Sequence, residues 1–337
     1  MIYISKDAFV YLVCPPAYAS GGPELIYQLA RKLADYGVHT RMYYLPKHEN
    51  PVHPNYIAYG TTAADKIDDD PKNLVIIPEA LVPAFNENET LGQIRKCIWW
   101  LSVDNFFLEL YHQAAARRLA RIPLLRDLRI YEQRFFAAQV HERHYRFHLA
   151  QSAYALALLR KENIHAGYLS DFLGPTFFQR ATELQTVKKE NIVLYNPAKG
   201  YRFTKKIMEA APDLTWIPIQ NMSPAEVADL LAKAKVYIDF GNHPGKDRFP
   251  REAALTNCCI ITGLRGSAYY QEDLNIPREY KISDARYNIS RIVRLLRSCL
   301  QDYDTRTKDF ESYRELIRNE EQQFDRDLRT VFVKTEI

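Results

Sequence analysis

The sequence has no stretch of about 18 uncharged apolar residues, so no helix spanning a bilayer is expected. Cysteine is sparse, with five among 337 residues: Cys14, Cys97, Cys258, Cys259 and Cys299. Their number is odd, they are scattered, and no CxxC pair occurs. That pattern suits neither a disulfide framework nor a zinc site, and the five read as reduced packing residues. Charge of one sign is also scarce. Lys and Arg total 45 against 41 Asp and Glu, and a net +4 is too small to imply a nucleic-acid partner. The start MIYISKDAFVYLV opens like a strand and lacks the basic end and small-residue cleavage site of a signal peptide. A cytoplasmic address is the expectation that follows.

What is present suits packed cores. Hydrophobic residues make up 47% and charged residues 26%, which argues against disorder. The length suits two domains. Residues 8–14 form an apolar run closed by Pro15-Pro16, as in a buried strand. After the loop to Gly21-Gly22, Leu25, Ile26, Leu29, Ala30, Leu33 and Ala34 recur at the helical period. Gly37 stops that helix, and residues 40–45 read as a second strand, completing a βαβ unit. Gly21-Gly22 either forms a tight turn or lets a ligand approach the first N–H groups of the helix. Further strands are expected at residues 74–77, 97–101 and 146–149, with another at 164–169. Asp104 and Asn105 follow one of them and either face a ligand crevice or cap the next helix.

Residues 112–148 are rich in arginine with interleaved leucine and phenylalanine. Such a segment lies on an anionic membrane surface or forms an ordinary amphipathic face. A break follows at residues 173–190, and the strand–helix rhythm then restarts. Strands are expected at 192–195, 214–219, 236–240 and 259–262, with helices at 204–211 and from Ser223 to about Ala234. Ser223-Pro224-Ala225-Glu226 matches a capping box with proline at the first helical position. The alternation predicts a second parallel sheet.

The densest chemistry lies in residues 239–254, which gather His243, Lys246, Asp247, Arg248, Arg251 and Glu252 after a strand end. Lysine and arginine offer fixed charge to phosphate oxygens, and a carboxylate on the following helix accepts hydrogen bonds from a ribose diol. Lys199-Gly200 and Gly266-Ser267 also follow strands. Parallel strands place all three loops at one sheet edge.

These segments resemble a GT-B glycosyltransferase, most closely its retaining nucleotide-sugar-dependent branch. Ser20-Gly21-Gly22-Pro23-Glu24 resembles the branch's first loop and helix, Lys199-Gly200 its phosphate-binding pair, and Glu252-Ala253-Ala254 its ribose-binding glutamate helix. Gly266-Ser267 falls where the family binds diphosphate through backbone amides. Two features depart from the branch. The position eight before Glu252 is Pro244 rather than a glutamate, and the position five before Lys199 is Leu194 rather than arginine. His243, Lys246, Asp247 or Arg248 are the residues at hand for those roles.

The resemblance implies an α/β fold of two Rossmann-like domains facing across a cleft. The expected division is 1–172 for the acceptor domain, 173–190 for a linker, 191–303 for the donor domain, and 304–337 for a helical region crossing back. The implied activity is metal-independent transfer from a nucleotide-sugar donor to a glycan or lipid-linked acceptor, without a cofactor, in bacterial surface polysaccharide synthesis. The expected donor contacts are Gly21, Gly22, Lys199, Lys246, Arg248, Arg251, Glu252, Gly266 and Ser267. The expected catalytic residues are His243, Asp247, Asp104 and Glu24. Inversion and retention both stay open. A nucleotide-sugar epimerase or hydrolase of the same fold, and a non-catalytic nucleotide-sugar-binding protein, are the alternatives. A peripheral place on the inner membrane face accompanies the basic segment.

Overall fold

In a computed structural model, which describes residues 1–108 and 132–335, the chain divides into two compact units. One comprises Met1–Ser170 with Phe324–Ile337, and the other Asp171–Gln323. Most of the basic segment at 112–148 lies outside the described residues, including Arg117, Arg118, Arg121, Arg126 and Arg129. Among the described residues no helix is long and apolar enough to cross a membrane.

The first unit is built on β2 (Phe9–Cys14), β3 (His39–Tyr44), β4 (Leu74–Pro78), β5 (Arg95–Trp100), β6 (Phe147–Ala150) and β7 (Gly167–Tyr168). They pair in parallel in the order β3-β2-β4-β5-β6-β7. All five residues of β4 are buried. A parallel strand covered on both faces requires such a continuous apolar run rather than an alternating one. The helix Gly21–Asp35 turns Leu25, Ile26, Leu29, Ala30 and Leu33 of its predicted stripe inward, whereas Ala34, expected in the same stripe, is exposed at the helix end. Trp99 and Trp100 are fully buried yet keep their indole N–H groups bonded, to the Leu169 carbonyl at 3.0 Å and to His148 Nδ1 at 3.2 Å.

The sequence gives no hint of one pairing. The opening strand β1 (Ile2–Ser5) runs parallel to β12 (Phe332–Thr335), which joins the two ends of the described chain.

The second unit is built on β8 (Glu190–Tyr195), β9 (Thr215–Pro218), β10 (Ala234–Asp239) and β11 (Cys259–Thr262), all parallel, in the order β11-β10-β8-β9. The capping box at Ser223 forms as expected, with Ser223 and Glu226 satisfying each other's backbone N–H. Residues 173–190, read from the sequence as a linker, instead hold the helix Pro175–Glu183, with Phe177 and Ala181 in the core of this unit. Its missed signal is Gly174-Pro175, which starts a helix at the position where proline is tolerated. The five cysteines are free and buried, in agreement with the packing role.

In both sheets the order in which successive parallel strands are added reverses at an interior strand. In the first, β3 lies on one side of β2 and β4 on the other. In the second, β9 lies on one side of β8 and β10 on the other. Loops leaving the carboxyl ends at such a switch point splay apart and open a ligand crevice. In the second unit those loops are residues 196–200 after β8 and 240–247 after β10.

Candidate functional site

Three loops of the second unit meet at the carboxyl edge of its sheet, and glycine makes the meeting possible. Gly200 has φ +61°, and a Cβ there would lie 2.4 Å from the Phe240 carbonyl. A Cβ on Gly241 would lie 2.3 Å from Lys199 Cβ, and one on Gly266 (φ +59°) 2.0 Å from the His243 oxygen. Side chains are excluded at all three points, and two of them also need a left-handed backbone.

Charged groups are drawn together where these loops touch. Lys199 Nζ lies 2.5 Å from Asp247 Oδ2. The same oxygen accepts the His243 Nδ1–H at 3.0 Å. On its far side His243 Nε2 faces Asp239 Oδ1 at 3.7 Å. Asp239 is itself held, accepting from the Gly241 N–H at 2.8 Å and from the Tyr237 hydroxyl at 2.9 Å. Burial works against a charge on His243, but the Asp247 hydrogen bond and the Asp239 and Asp247 charges outweigh it and raise its pKa. Burial would raise the Asp247 carboxyl, but the His243 hydrogen bond and the charges of His243 and Lys199 hold it below the usual range. Asp239, His243 and Asp247 are residue types that ligate metals, and their ligand atoms lie within 4.8 Å of one another. The cation already seated against Asp247 is the Lys199 ammonium.

Arg248 and Glu252 are four residues apart on the helix Arg248–Leu255 and pair across one turn, at 3.1 Å. Arg248 is one-third exposed, and Glu252 is buried beneath it. Lys199, Arg248 and Glu252 therefore stand at this edge as the sequence suggested.

Three expected phosphate contacts are placed otherwise. Arg251, one position from Glu252 on the same helix, turns inward and is fully buried. Its guanidinium binds Asp171 Oδ2 at 2.5 Å and Glu320 Oε2 at 3.0 Å. It also donates to the Lys246 and Asp247 carbonyls. Lys246 joins the same cluster, 2.7 Å from Glu320 and 4.0 Å from Asp171. Asp171 and Glu320 lie far apart in sequence, so the spacing of residues 239–254 gives no sign of this network. Ser267 spends its N–H on the His243 carbonyl at 2.8 Å and its hydroxyl on the Gly245 carbonyl at 2.5 Å. Gly266 packs against the same His243 carbonyl. Ser267 thus ties the 240–247 loop down rather than offering its amide to a ligand.

In the first unit, Gly21 opens the helix after β2, and a Cβ added to Gly22 meets nothing within 4 Å. No side chain caps this helix start among the described residues. The Tyr56 hydroxyl holds the Ser20 backbone in place, accepting from its N–H at 3.1 Å and donating to its carbonyl at 3.0 Å. The Tyr59 hydroxyl donates to Glu24 Oε1 at 3.4 Å, and Tyr27 and Tyr44 share a hydrogen bond of 2.8 Å. This tyrosine cluster escaped the sequence reading because its members come from three separate segments. Asp104 accepts from the Tyr154 hydroxyl at 2.8 Å.

A further group missed in the sequence is Glu79, just beyond β4. It is buried and accepts the N–H groups of Leu101 at 2.7 Å and Ser102 at 3.0 Å, anchoring the loop before Asp104. Burial pushes its pKa up to about 8, against those backbone hydrogen bonds. The protonated form is therefore favoured by folding. Its stabilisation is complete below the unfolded value near 4.5 and is lost as pH rises through about 8. Unfolding in urea between pH 5 and 9 should show stability falling by up to about 1.4 kcal/mol per pH unit from this group. Glu79→Gln should remove that slope, and an equal slope in both proteins would refute the assignment.

No protein-family model and no curated protein matches the chain. Solved structures do. Sucrose-phosphate synthase from Thermosynechococcus elongatus superposes with a TM-score of 0.63 at 12% identity, covering 96% of this chain and 98% of that one. The Anabaena protein HepE in complex with UDP and glucose gives 0.62 at 8% identity, covering 95% and 99%. A glycosyltransferase from Rickettsia africae gives 0.58 at 12% identity, covering 96% and 98%. At such identities the likeness is one of fold: mixed α/β with parallel sheets, as in GT-B glycosyltransferases.

Proposed function

We propose that the chain is a glycosyltransferase that binds a nucleoside-diphosphate sugar on its second unit and moves the sugar to a hydroxyl acceptor. The observation that carries this reading is the cationic switch-point edge, where Lys199 and Arg248 stand partly exposed on loops held together by glycine contacts. Solved structures of the same fold in complex with UDP or UDP-glucose support the donor class. In this reading Lys199 and Arg248 pair with the diphosphate, and Glu252, beneath Arg248, takes the ribose. Stabilising the departing diphosphate and holding the acceptor hydroxyl in line supply most of the rate.

The acceptor is assigned to the first unit beside Gly21, Gly22 and Glu24, with Asp104 after β5. It is a glycan or a lipid-linked glycan of a bacterial surface polysaccharide. Transfer proceeds with retention, by attack on the face the diphosphate leaves, so no carboxylate nucleophile is needed at Pro244. It needs no divalent metal, and excess chelator should leave the rate unchanged. The arginine-rich stretch within 112–148 serves as a contact to anionic lipid at the inner face of the membrane, which flotation with anionic liposomes at low and high salt tests.

A thermal-shift screen over UDP-, GDP-, ADP- and CMP-sugars, beginning with UDP-glucose, identifies the donor. Lys199→Ala should weaken binding of that donor about 10- to 150-fold, the value of a charge-assisted contact. Unchanged affinity would overturn the site. Fast conversion of donor with no acceptor present would favour an epimerase or hydrolase instead.

A further inference from the structure

The arrangement of Lys199, Asp247 and His243 holds more than a phosphate contact. Two N–H donors share one carboxylate oxygen, Asp247 Oδ2: the Lys199 ammonium at 2.5 Å and the His243 Nδ1–H at 3.0 Å. Asp247 occupies the N-cap position of the helix Arg248–Leu255, where an aspartate ordinarily accepts the first backbone N–H groups. Here its side chain makes no capping bond among the described residues and is committed to Lys199 and His243. The other imidazole nitrogen, Nε2, is buried with no hydrogen-bond partner among the described residues, and it looks at Asp239 Oδ1 from 3.7 Å. With Nδ1–H bonded to Asp247, Nε2 is the nitrogen that carries the lone pair in neutral His243.

We propose that Lys199, Asp247 and His243 form a proton-linked latch, in which Lys199 passes from Asp247 to the donor's diphosphate while His243 takes up one proton at Nε2. The inference rests on the donor site proposed above. In the free protein the Lys199 charge opposes protonation of the imidazole that shares its carboxylate. A bound diphosphate neutralises Lys199 and leaves Asp247 to His243 alone. The proton comes from solvent, and the new Nε2–H faces the Asp239 carboxylate. The charged and titratable groups around His243 all enter this balance: Asp239 and Tyr237 from β10, Asp247 from the helix start, and Lys199 from the loop after β8. The segment after β11 contributes backbone through Ser267, while Arg265 is turned to Asp284. Asp247 is thus a positioning residue, acting on the donor through the lysine it holds and releases.

Calorimetric titration with UDP-glucose, or with whichever nucleoside-diphosphate sugar the screen finds, tests this. Its diester diphosphate has no proton to exchange near neutrality. Measured in buffers of different ionisation enthalpy, binding should take up a substantial fraction of one proton. Affinity should fall by as much as tenfold per pH unit as pH rises from the titration of free His243 to that of the bound form. His243→Asn keeps a donor toward Asp247 but cannot titrate. It should still bind the sugar nucleotide, with no proton uptake and a flat pH profile. A purely structural histidine would leave uptake at zero in the wild type. Zero uptake between pH 6 and 9 with intact binding overturns the latch and leaves the donor site standing. Failure of every nucleoside-diphosphate sugar to bind overturns both. If His243→Asn does not fold, the wild-type uptake alone decides.

Discussion

Replacing Arg251 with methionine should cost the Asp171–Gln323 unit about 3–5 kcal/mol of unfolding free energy, measured by urea denaturation. The guanidinium is fully buried and meets two carboxylates that are themselves nearly inaccessible, Asp171 and Glu320. Removing it strands both carboxylates in a poorly solvated place, with Lys246 as their remaining cation. Burial opposes the guanidinium charge, yet the Asp171 and Glu320 charges outweigh it and raise its pKa. Arg251 therefore keeps its proton at any pH at which the fold survives, and the loss should be the same at pH 6 and pH 9. Adding Asp171→Asn to Arg251→Met should return part of it, since one of the orphaned charges is then gone. Arg251→Lys keeps the charge but not the planar fork that reaches two carboxylates and two carbonyls, so it should fall between the two proteins. The contrast with Arg248 separates framework from ligand contact. Arg248→Ala takes a one-third-exposed partner from the buried Glu252 carboxylate, and its cost in stability should stay below that of Arg251→Met, which strands two buried carboxylates, while affinity for the proposed donor falls. A loss below about 1 kcal/mol for Arg251→Met would mean that the buried network does not hold the unit.

The sequence made local features legible and left non-local ones hidden. Strand positions were readable because parallel strands buried on both faces are continuous apolar runs, as at β4 and at β11. The helix Gly21–Asp35 was readable from its stripe, and the helix after Ser223 from its capping box, both signals confined to one turn or a few. The convergence of Lys199, His243 and Asp247 was foreseen only as three loops on one edge, because that much follows from parallel strands alone. Which oxygen Lys199 meets depends on the register of β8 against β10 and on three glycine contacts, and none of that has a sequence period. Arg251 shows the limit most clearly. In the sequence it differs from Arg248 by three positions and by no chemistry. In the fold, the inward turn of the helix brings it to Asp171 and Glu320, residues 80 and 69 positions away. Glu79 was overlooked for a similar reason, since its partners at Leu101 and Ser102 lie across the sheet on the next strand's end.

The same dependence on close approach sets the last expectation. Gly266→Ala should both destabilise the second unit and uncouple the loops of the proposed donor site. A methyl there would sit 2.0 Å from the His243 carbonyl oxygen, and residue 266 would still need φ +59°. The left-handed backbone costs an alanine about 1–2 kcal/mol. Relief of the clash by a backbone shift adds about 1–3 kcal/mol. The shift falls on the carbonyl that receives the Ser267 N–H, so the 240–247 loop moves with it and takes His243 and Asp247 away from Lys199. Displacement of about 1 Å at a reacting geometry costs on the order of 100-fold in rate. Gly200→Ala should behave alike, with its methyl 2.4 Å from the Phe240 carbonyl. Gly22→Ala is the informative contrast. Its Cβ direction is open, and it lies in the first turn of a helix, where alanine is favoured over glycine by up to about 1 kcal/mol. That variant should melt no lower than the wild type, so any loss of transfer it shows reports a ligand brought against the helix start rather than a damaged fold. Melting of Gly266→Ala at the wild-type temperature, with unchanged donor affinity, would show that the loops tolerate separation and that the glycine contacts do not set the site.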